Sequence, residues 1–320
     1  SFINKQTNKH TMKNKIIATL VAFGLVGSAS AIEVNDNLSI NGFIDGSYQK
    51  TDNSAAANTE NLGLDEIEVN FLLNVGSVSG AIHVDTEGGT ESVDIEQAHF
   101  TYSLDNGVSF TLGRYGSALG LEREDPAGLY TYSRAYNATY NFGDVDSASV
   151  EGLTVAYSAE DFSVAVSFEE AAGANLSTAD LNTEISVSYT GMENVVLNAG
   201  YFVDNGVAGA ERDVFGLNAT YTAGKALFGA EYISANDDVA ANGENAFLVL
   251  VDYDVSDKLG VAVRYSEWET SSTNEYSKIT IAPNYALTDS LGAILEYSDT
   301  DSGTANVDSD QIALELTYTF

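Results

Sequence analysis

Residues Ile312 to Phe320 read I-A-L-E-L-T-Y-T-F. Ile312, Leu314, Leu316, Tyr318 and Phe320 share one parity, and Ala313, Glu315, Thr317 and Thr319 share the other. Successive side chains of a strand point to opposite faces. Such a strand therefore has one wholly apolar face ending in two aromatics, and one face that is small or polar. A soluble β-sandwich rarely leaves an aromatic edge of this kind at the end of its chain. A strand with lipid on one side and a polar interior on the other requires the pattern.

The same alternation recurs upstream, in Ile67-Val69-Phe71-Leu73-Val75, Phe215-Leu217-Ala219-Tyr221, Phe228-Ala230-Tyr232, Phe247-Val249-Val251-Tyr253, Leu259-Val261-Val263-Tyr265, Ile279-Ile281-Pro283-Tyr285 and Leu291-Ala293-Leu295-Tyr297. The tyrosines keep a fixed interval. Tyr157, Tyr189, Tyr221, Tyr253, Tyr285 and Tyr318 are separated by 32, 32, 32, 32 and 33 residues, and Tyr201, Tyr232, Tyr265 and Tyr297 by 31, 33 and 32. A period near 32 is one hairpin with its loop, and it lacks the helices or blade motifs of other repeat architectures. Short turns such as 222–225 and 288–290 alternate with longer acidic loops such as 236–244 and 299–308. This predicts an all-β, transmembrane antiparallel barrel with short periplasmic turns, long outer loops and aromatic girdles.

Composition narrows the function. The chain has 320 residues, 13 Lys plus Arg against 47 Asp plus Glu, and no Cys. Without a basic stripe, nucleic acid is excluded as a partner. The absence of Cys removes disulfides, thiolate chemistry and most zinc sites. The acidity is either a solvated surface or a device that attracts cations.

Residues 1–11 read as a spurious N-terminal extension before Met12. Residues 12–31 read as a signal peptide, with Lys13 and Lys15 as the basic region, an apolar stretch from Ile16 to Val26, and Ala29-Ser30-Ala31 as the cleavage site. The four lysines before residue 32 (Lys5, Lys9, Lys13 and Lys15) would be lost, leaving nine basic residues against 47 acids, a net charge of −38. Residues 32–320 form the barrel.

Strand counts made from the two ends disagree unless 116–147 is one long loop, with a short strand at 136–142. That repair gives about 16 strands, within a range of 14 to 18. The strand 108–115 is then the fifth, so 116–147 is the third outer loop.

The terminal strand resembles that of Gram-negative outer-membrane barrels, and Gly113-Arg114 followed by a long third loop resembles the general diffusion porins. The late hairpins are similar to those of OmpL-like β-barrel porins. The resemblance implies a third loop folded inward, its acids facing basic residues across a constriction. It implies outer-membrane lipid and lipopolysaccharide as surroundings, recognition of Tyr318 and Phe320 by the barrel-assembly machinery, and a homotrimer. The acidic PEF-type loop tip of enterobacterial porins is absent, so their detailed eyelet does not transfer.

On this reading Arg114, Glu122, Arg123, Glu124, Asp125 and Arg134 form the pore constriction, or pair locally to pin the loop. Three of the nine mature basic residues fall within these 21 positions. Parity lines the lumen with Glu66, Glu68, His83, His99, Glu231, Asp252, Arg264, Lys278, Glu296 and Glu315. A barrel protease or lipase would need a nucleophile beside His83 or His99, and no motif supplies one. Acidic pairs at Asp237-Asp238, Asp299-Asp301 and Asp308-Asp310 lack calcium-loop spacing. Trp268 belongs near the outer rim, as an interfacial or loop-packing residue. No metal, cofactor or enzymatic activity is expected. The function is a porin passing small hydrophilic solutes and ions with cation preference, or else a structural or adhesive barrel acting through its acidic outer loops.

Overall fold

The computed structural model describes residues 31–87, 92–122, 126–136, 150–170, 181–205, 212–237, 244–271, 274–303 and 307–320. The N-terminal extension, nearly all of the leader, residues 137–142 and the three loop residues Arg123, Glu124 and Asp125 lie outside the described residues.

The chain forms β1 (Ile32–Asn35), β2 (Leu38–Asn53), β3 (Thr59–Val75), β4 (Val78–Glu87), β5 (Asp94–Ser103) and β6 (Val108–Tyr115). After the long loop come β7 (Val150–Ser158), β8 (Phe162–Glu169), β9 (Asn182–Tyr189), β10 (Val195–Asp204) and β11 (Arg212–Ala223). The last six are β12 (Ala226–Asp237), β13 (Glu244–Asp254), β14 (Leu259–Ser271), β15 (Asn274–Ala286), β16 (Leu291–Ser302) and β17 (Ser309–Thr319). Each of β2 to β17 pairs antiparallel with its neighbours in sequence, and β17 pairs with β2, so sixteen strands close on themselves. β6 is the fifth strand of the ring, which makes 116–149 the third loop on its side of the barrel.

β1, four residues long, gives no periodic signal in the sequence. It turns at Asp36–Asn37 and pairs with the first residues of β2, from Ile32 opposite Ile40 to Asn35 opposite Leu38. This lies just beyond the point where β17 stops. There the last residue closes the ring: Phe320 N donates to Gly42 O at 3.0 Å and Gly42 N donates to Phe320 O at 3.1 Å. Gly42 is bare for a reason. A Cβ on it would lie 2.9 Å from the Phe320 ring and 2.1 Å from the Glu68 carbonyl oxygen. Phe320 also stacks on Tyr318 at 6.1 Å between ring centroids.

Alternation sorts the side chains as parity requires. Leu217, Val249, Val263 and Leu295 are exposed on the outer face, while Asn218, Arg264 and Glu296 are buried on the inner one. The two tyrosine series occupy two levels of that outer face. Tyr157, Tyr189, Tyr221, Tyr253, Tyr285 and Tyr318 stand near the short-turn ends of their strands. Tyr201, Tyr232, Tyr265 and Tyr297 stand further toward the long loops. Several of the outward tyrosine hydroxyls on that side donate to neighbours on the same strand or the next: Tyr48 to Glu60, Tyr232 to Asn245, and Tyr297 to Asp310. An amphipathic ring with its polar end tied toward the rim suits a bilayer interface.

Two β-bulges break the parity on the inner wall. One lies where Asp45 pairs with Glu66 and Gly46 with Leu64, leaving Asp65 as the extra residue. The other lies where His83 pairs with Gln97 and Val84 with Ile95, leaving Glu96. A bulge adds an unpaired residue and re-aims its side chain.

One substitution and one deletion test this frame. Val249→Arg puts a charge on the outer face and should destabilise the folded barrel by about 2–4 kcal/mol, read from urea unfolding in lipid vesicles. Deleting Phe320 removes two closing hydrogen bonds and the ring seated over Gly42. Export should be unchanged while the amount of heat-modifiable barrel in the membrane falls. Equal amounts from wild type and deletion would argue against an assembly role.

Candidate functional site: a loop latched across the barrel interior

The chain leaves β6 after Tyr115, and the loop that follows runs through the interior rather than away from it. Its first part, S-A-L-G-L-E over 117–122, carries two leucines two residues apart. Gly120 takes a positive φ of 90° between them, a conformation open to glycine at little penalty. Leu119 is buried against Gly200 and Gly216, which face each other across β10 and β11. A Cβ at Gly200 would lie 2.2 Å from Leu119 Cδ2, and one at Gly229 would lie 3.1 Å from Leu121 Cδ2. The wall is bare where the loop lies on it. A carboxylate anchors the entry: Ser117 Oγ donates to Glu184 Oε2 at 2.5 Å, and Ala118 N to Glu184 Oε1 at 2.8 Å.

The second part of the loop is held by one arginine. Arg264 on β14 is 0% exposed. Its Nη1 donates to Glu122 Oε1 at 2.5 Å, Thr131 Oγ1 at 2.7 Å and the Ser133 carbonyl at 2.7 Å. Its Nη2 donates to Ser133 Oγ at 3.2 Å and Thr280 Oγ1 at 3.3 Å. The other Glu122 oxygen accepts from Ala135 N at 2.7 Å, and Arg134 Nη1 donates to the Glu122 carbonyl at 2.8 Å. Wall groups complete the set. Glu296 accepts from Ser133 N, Lys278 Nζ donates to the Arg134 carbonyl, Ser266 donates to the Ala135 carbonyl, and Ser47 donates to the Tyr132 hydroxyl. Tyr136 packs edge-on against Trp268, which stacks on Tyr276 at 5.2 Å.

A buried ion pair offers little net stability over an apolar pair of the same shape, but removing one partner leaves the other stranded. The role of Arg264 is therefore positional. It fixes both arms of the loop, from Glu122 and from 131–133, to one point on β14. Arginine suits this because its planar fork serves several acceptors at once.

The electrostatics inside are negative. Burial pushes the Tyr132 hydroxyl up to about 12, and Asp65, Glu315 and Asp45 add to the shift, while its bond from Ser47 works against it. Burial raises Tyr136 as well, with Glu231 and Glu122 adding to it. Both loop tyrosines stay protonated and neutral.

The sequence candidates divide as follows. Glu122 and Arg134 meet in the loop, and Arg264, Lys278 and Glu296 meet them from the wall. Glu68, Glu231 and Glu315 are buried on the inner face, and His99 sits edge-on to Tyr115 there. Glu66 pairs with Asp45 in the ladder on that face, and Asp252 accepts from Asn284. His83 lies between Glu68 and Glu96. Trp268 packs the loop. Arg114 is corrected: it pairs with Ala98 and Glu151 and shares the parity of exposed Phe110 and Leu112. It therefore belongs to the outer face near the rim and not to the loop assembly. Glu184, Ser133 and the three wall glycines were missed. Glu184 was within reach, as an acid of inner parity on β9; the glycines carry no side-chain signal.

Arg264→Met should leave the closed sheet intact and release the loop, because every lost contact except that to Thr280 is between wall and loop. Stranding Glu122 would cost about 3–5 kcal/mol locally. The expected result is unchanged heat-modifiability, faster protease cleavage within 117–136 and noisier single-channel current.

The family model for Gram-negative porins matches residues 18–319. No curated protein matches the chain. Among solved structures it is similar to OmpF of Salmonella typhi, in a complex with daunomycin, with 15% identity, a TM-score of 0.71, and 91% of this chain and 100% of that one covered. It is similar to an anion-selective porin of Comamonas acidovorans, at 13% identity and a TM-score of 0.68, covering 88% and 99%. It is also similar to in-vitro folded OmpT of Vibrio cholerae in a trimer form, at 16% identity and a TM-score of 0.63, covering 89% and 100%. These likenesses show a shared fold. With the family match running over almost the whole closed barrel, the chain belongs to the Gram-negative porin family, as a channel of the bacterial outer membrane.

Proposed function

We propose that this porin is a passive diffusion channel for small hydrophilic solutes and ions, that it prefers cations, and that the inward loop forms its constriction. The observation that carries the preference is the charge of the inner wall. Asp45, Glu68, Glu184, Glu231, Glu296 and Glu315 are all buried on that face. Among the side chains described, the basic groups of the wall are Arg264, which Glu122 neutralises, and Lys278, which bonds the loop. The fold alone does not set the sign of the preference, since a solved structure similar to this one is an anion-selective porin of Comamonas acidovorans. Preference is then a matter of lumen side chains. The trimer form of the Vibrio cholerae relative supports a homotrimer here as well.

Reversal potentials in a KCl gradient test the preference. The expected sign is cation-selective, with Glu231→Gln shifting it toward zero. Screening shortens from about 8 Å at physiological salt to about 3 Å at 1 M, so the preference should weaken in concentrated electrolyte without vanishing. An anion-selective wild type would sink the proposal.

A further inference from the structure

Away from the loop, β3, β4 and β5 bring three metal-ligating side chains together on the inner wall. Glu68, His83 and Glu96 each offer one ligand atom, and these atoms all lie within 4.8 Å of one another. The residues are 0%, 5% and 4% exposed. Glu96 is the telling member. Parity counted back from His99 would send it outward with Ala98 and Phe100. The bulge between His83 and Val84 turns it inward, beside Gln97. A register irregularity therefore completes a cluster that alternation alone would have left at two residues.

The spacing is not that of hydrogen bonds. His83 Nδ1 lies 3.5 Å from Glu68 Oε1 and 3.7 Å from Glu96 Oε2. Neither His83 Nδ1 nor Glu96 Oε2 has a hydrogen-bond partner, although both are buried. Bonds of about 2.0–2.2 Å from zinc to nitrogen and oxygen place neighbouring ligands of a tetrahedron about 3.4 Å apart. The two separations from His83 are already near that value. Charge points the same way. Two buried carboxylates beside one imidazole leave a net negative site even when the ring is protonated. A divalent ion with a neutral ring cancels both charges, and uncompensated buried charge is expensive.

We propose that Glu68, His83 and Glu96 bind one divalent transition-metal ion of the zinc class, with a remaining coordination position for water or solute. The imidazole excludes calcium and magnesium as preferred occupants, since both favour all-oxygen sets. Asn70 and Gln97 flank His83 in the ladder, and their buried carboxamide oxygens are suited to orient its ring. The site stands apart from the loop, and of the acids named for the ion preference it takes only Glu68.

The test uses the refolded barrel in detergent, stripped with a chelator and titrated with cobalt(II), then zinc(II). One equivalent of cobalt per chain should give the intense visible bands of a four- or five-coordinate nitrogen–oxygen site, and zinc should abolish them. Losing even an outer partner of a metal ligand weakens binding about 10–100-fold. Glu96→Gln and His83→Ala should therefore weaken it by about a hundredfold or more. Heat-modifiability reports whether each variant folds. If neither does, the wild-type spectrum decides, because acidic loops alone give only the weak bands of octahedral cobalt. Weak bands only, or titrations identical in wild type and a folded Glu96→Gln protein, would overturn the proposal.

Discussion

Every backbone N–H and C=O that faces hydrocarbon must find its partner within the protein, and a sheet meets that demand only by closing. In this chain the closure depends on the strand that was last to be made. β17 pairs along its whole length with β2, and the ladder ends in a reciprocal bond between Phe320 and Gly42. β1 takes up the edge of β2 just past that point. Until the two ends of the barrel meet, β2 and β17 are open edges, each a template for wrong pairing. The apolar parity of 312–320 and the missing side chain at Gly42 are two halves of one seam.

Closure creates an interior that is neither core nor solvent. The inner wall is polar, and the loop that enters it could not be held by apolar packing alone. It is held at its entry by Glu184, at its middle by Arg264, and along its return by Glu296, Lys278 and Ser266. Most of these bonds run to loop backbone or to short loop side chains, so they fix the path of the chain more than any one functional group. On the proposed reading, the other acids of the inner wall set the potential through which an ion passes.

The ring was legible because a membrane enforces strict alternation. Leu217, Val249 and Tyr253 could face only one way, and the 32-residue interval of the tyrosines recorded the strand pairs directly. The inward loop was legible in outline, through the clash between two strand counts and the charges gathered around Glu122 and Arg134. What escaped did so for several physical reasons. Arg114 looked like a loop residue by proximity but sits on the outer face beside Leu112. Asp65 and Glu96 point inward because of bulges, and a bulge is set by the partner strand's register, which one strand's sequence does not contain. Arg264 was placed on the lumen face, yet its four partner residues lie on segments more than 130 residues away or across a hairpin. β1 is too short for a periodic signal.

The wall glycines have a geometric consequence. A loop lying inside a tube subtracts its own thickness from the bore, and any side chains between it and the wall subtract more. At Gly200 and Gly216 nothing intervenes, so Leu119 rests almost on the backbone of the sheet, and Leu121 does the same at Gly229. The loop is recessed into the wall by roughly the depth of one side-chain layer. Free cross-section for permeating solutes is thus recovered at residues that never touch the permeant. Side chains restored at these positions would narrow the passage from behind, by pushing the loop inward while leaving its chemistry unchanged.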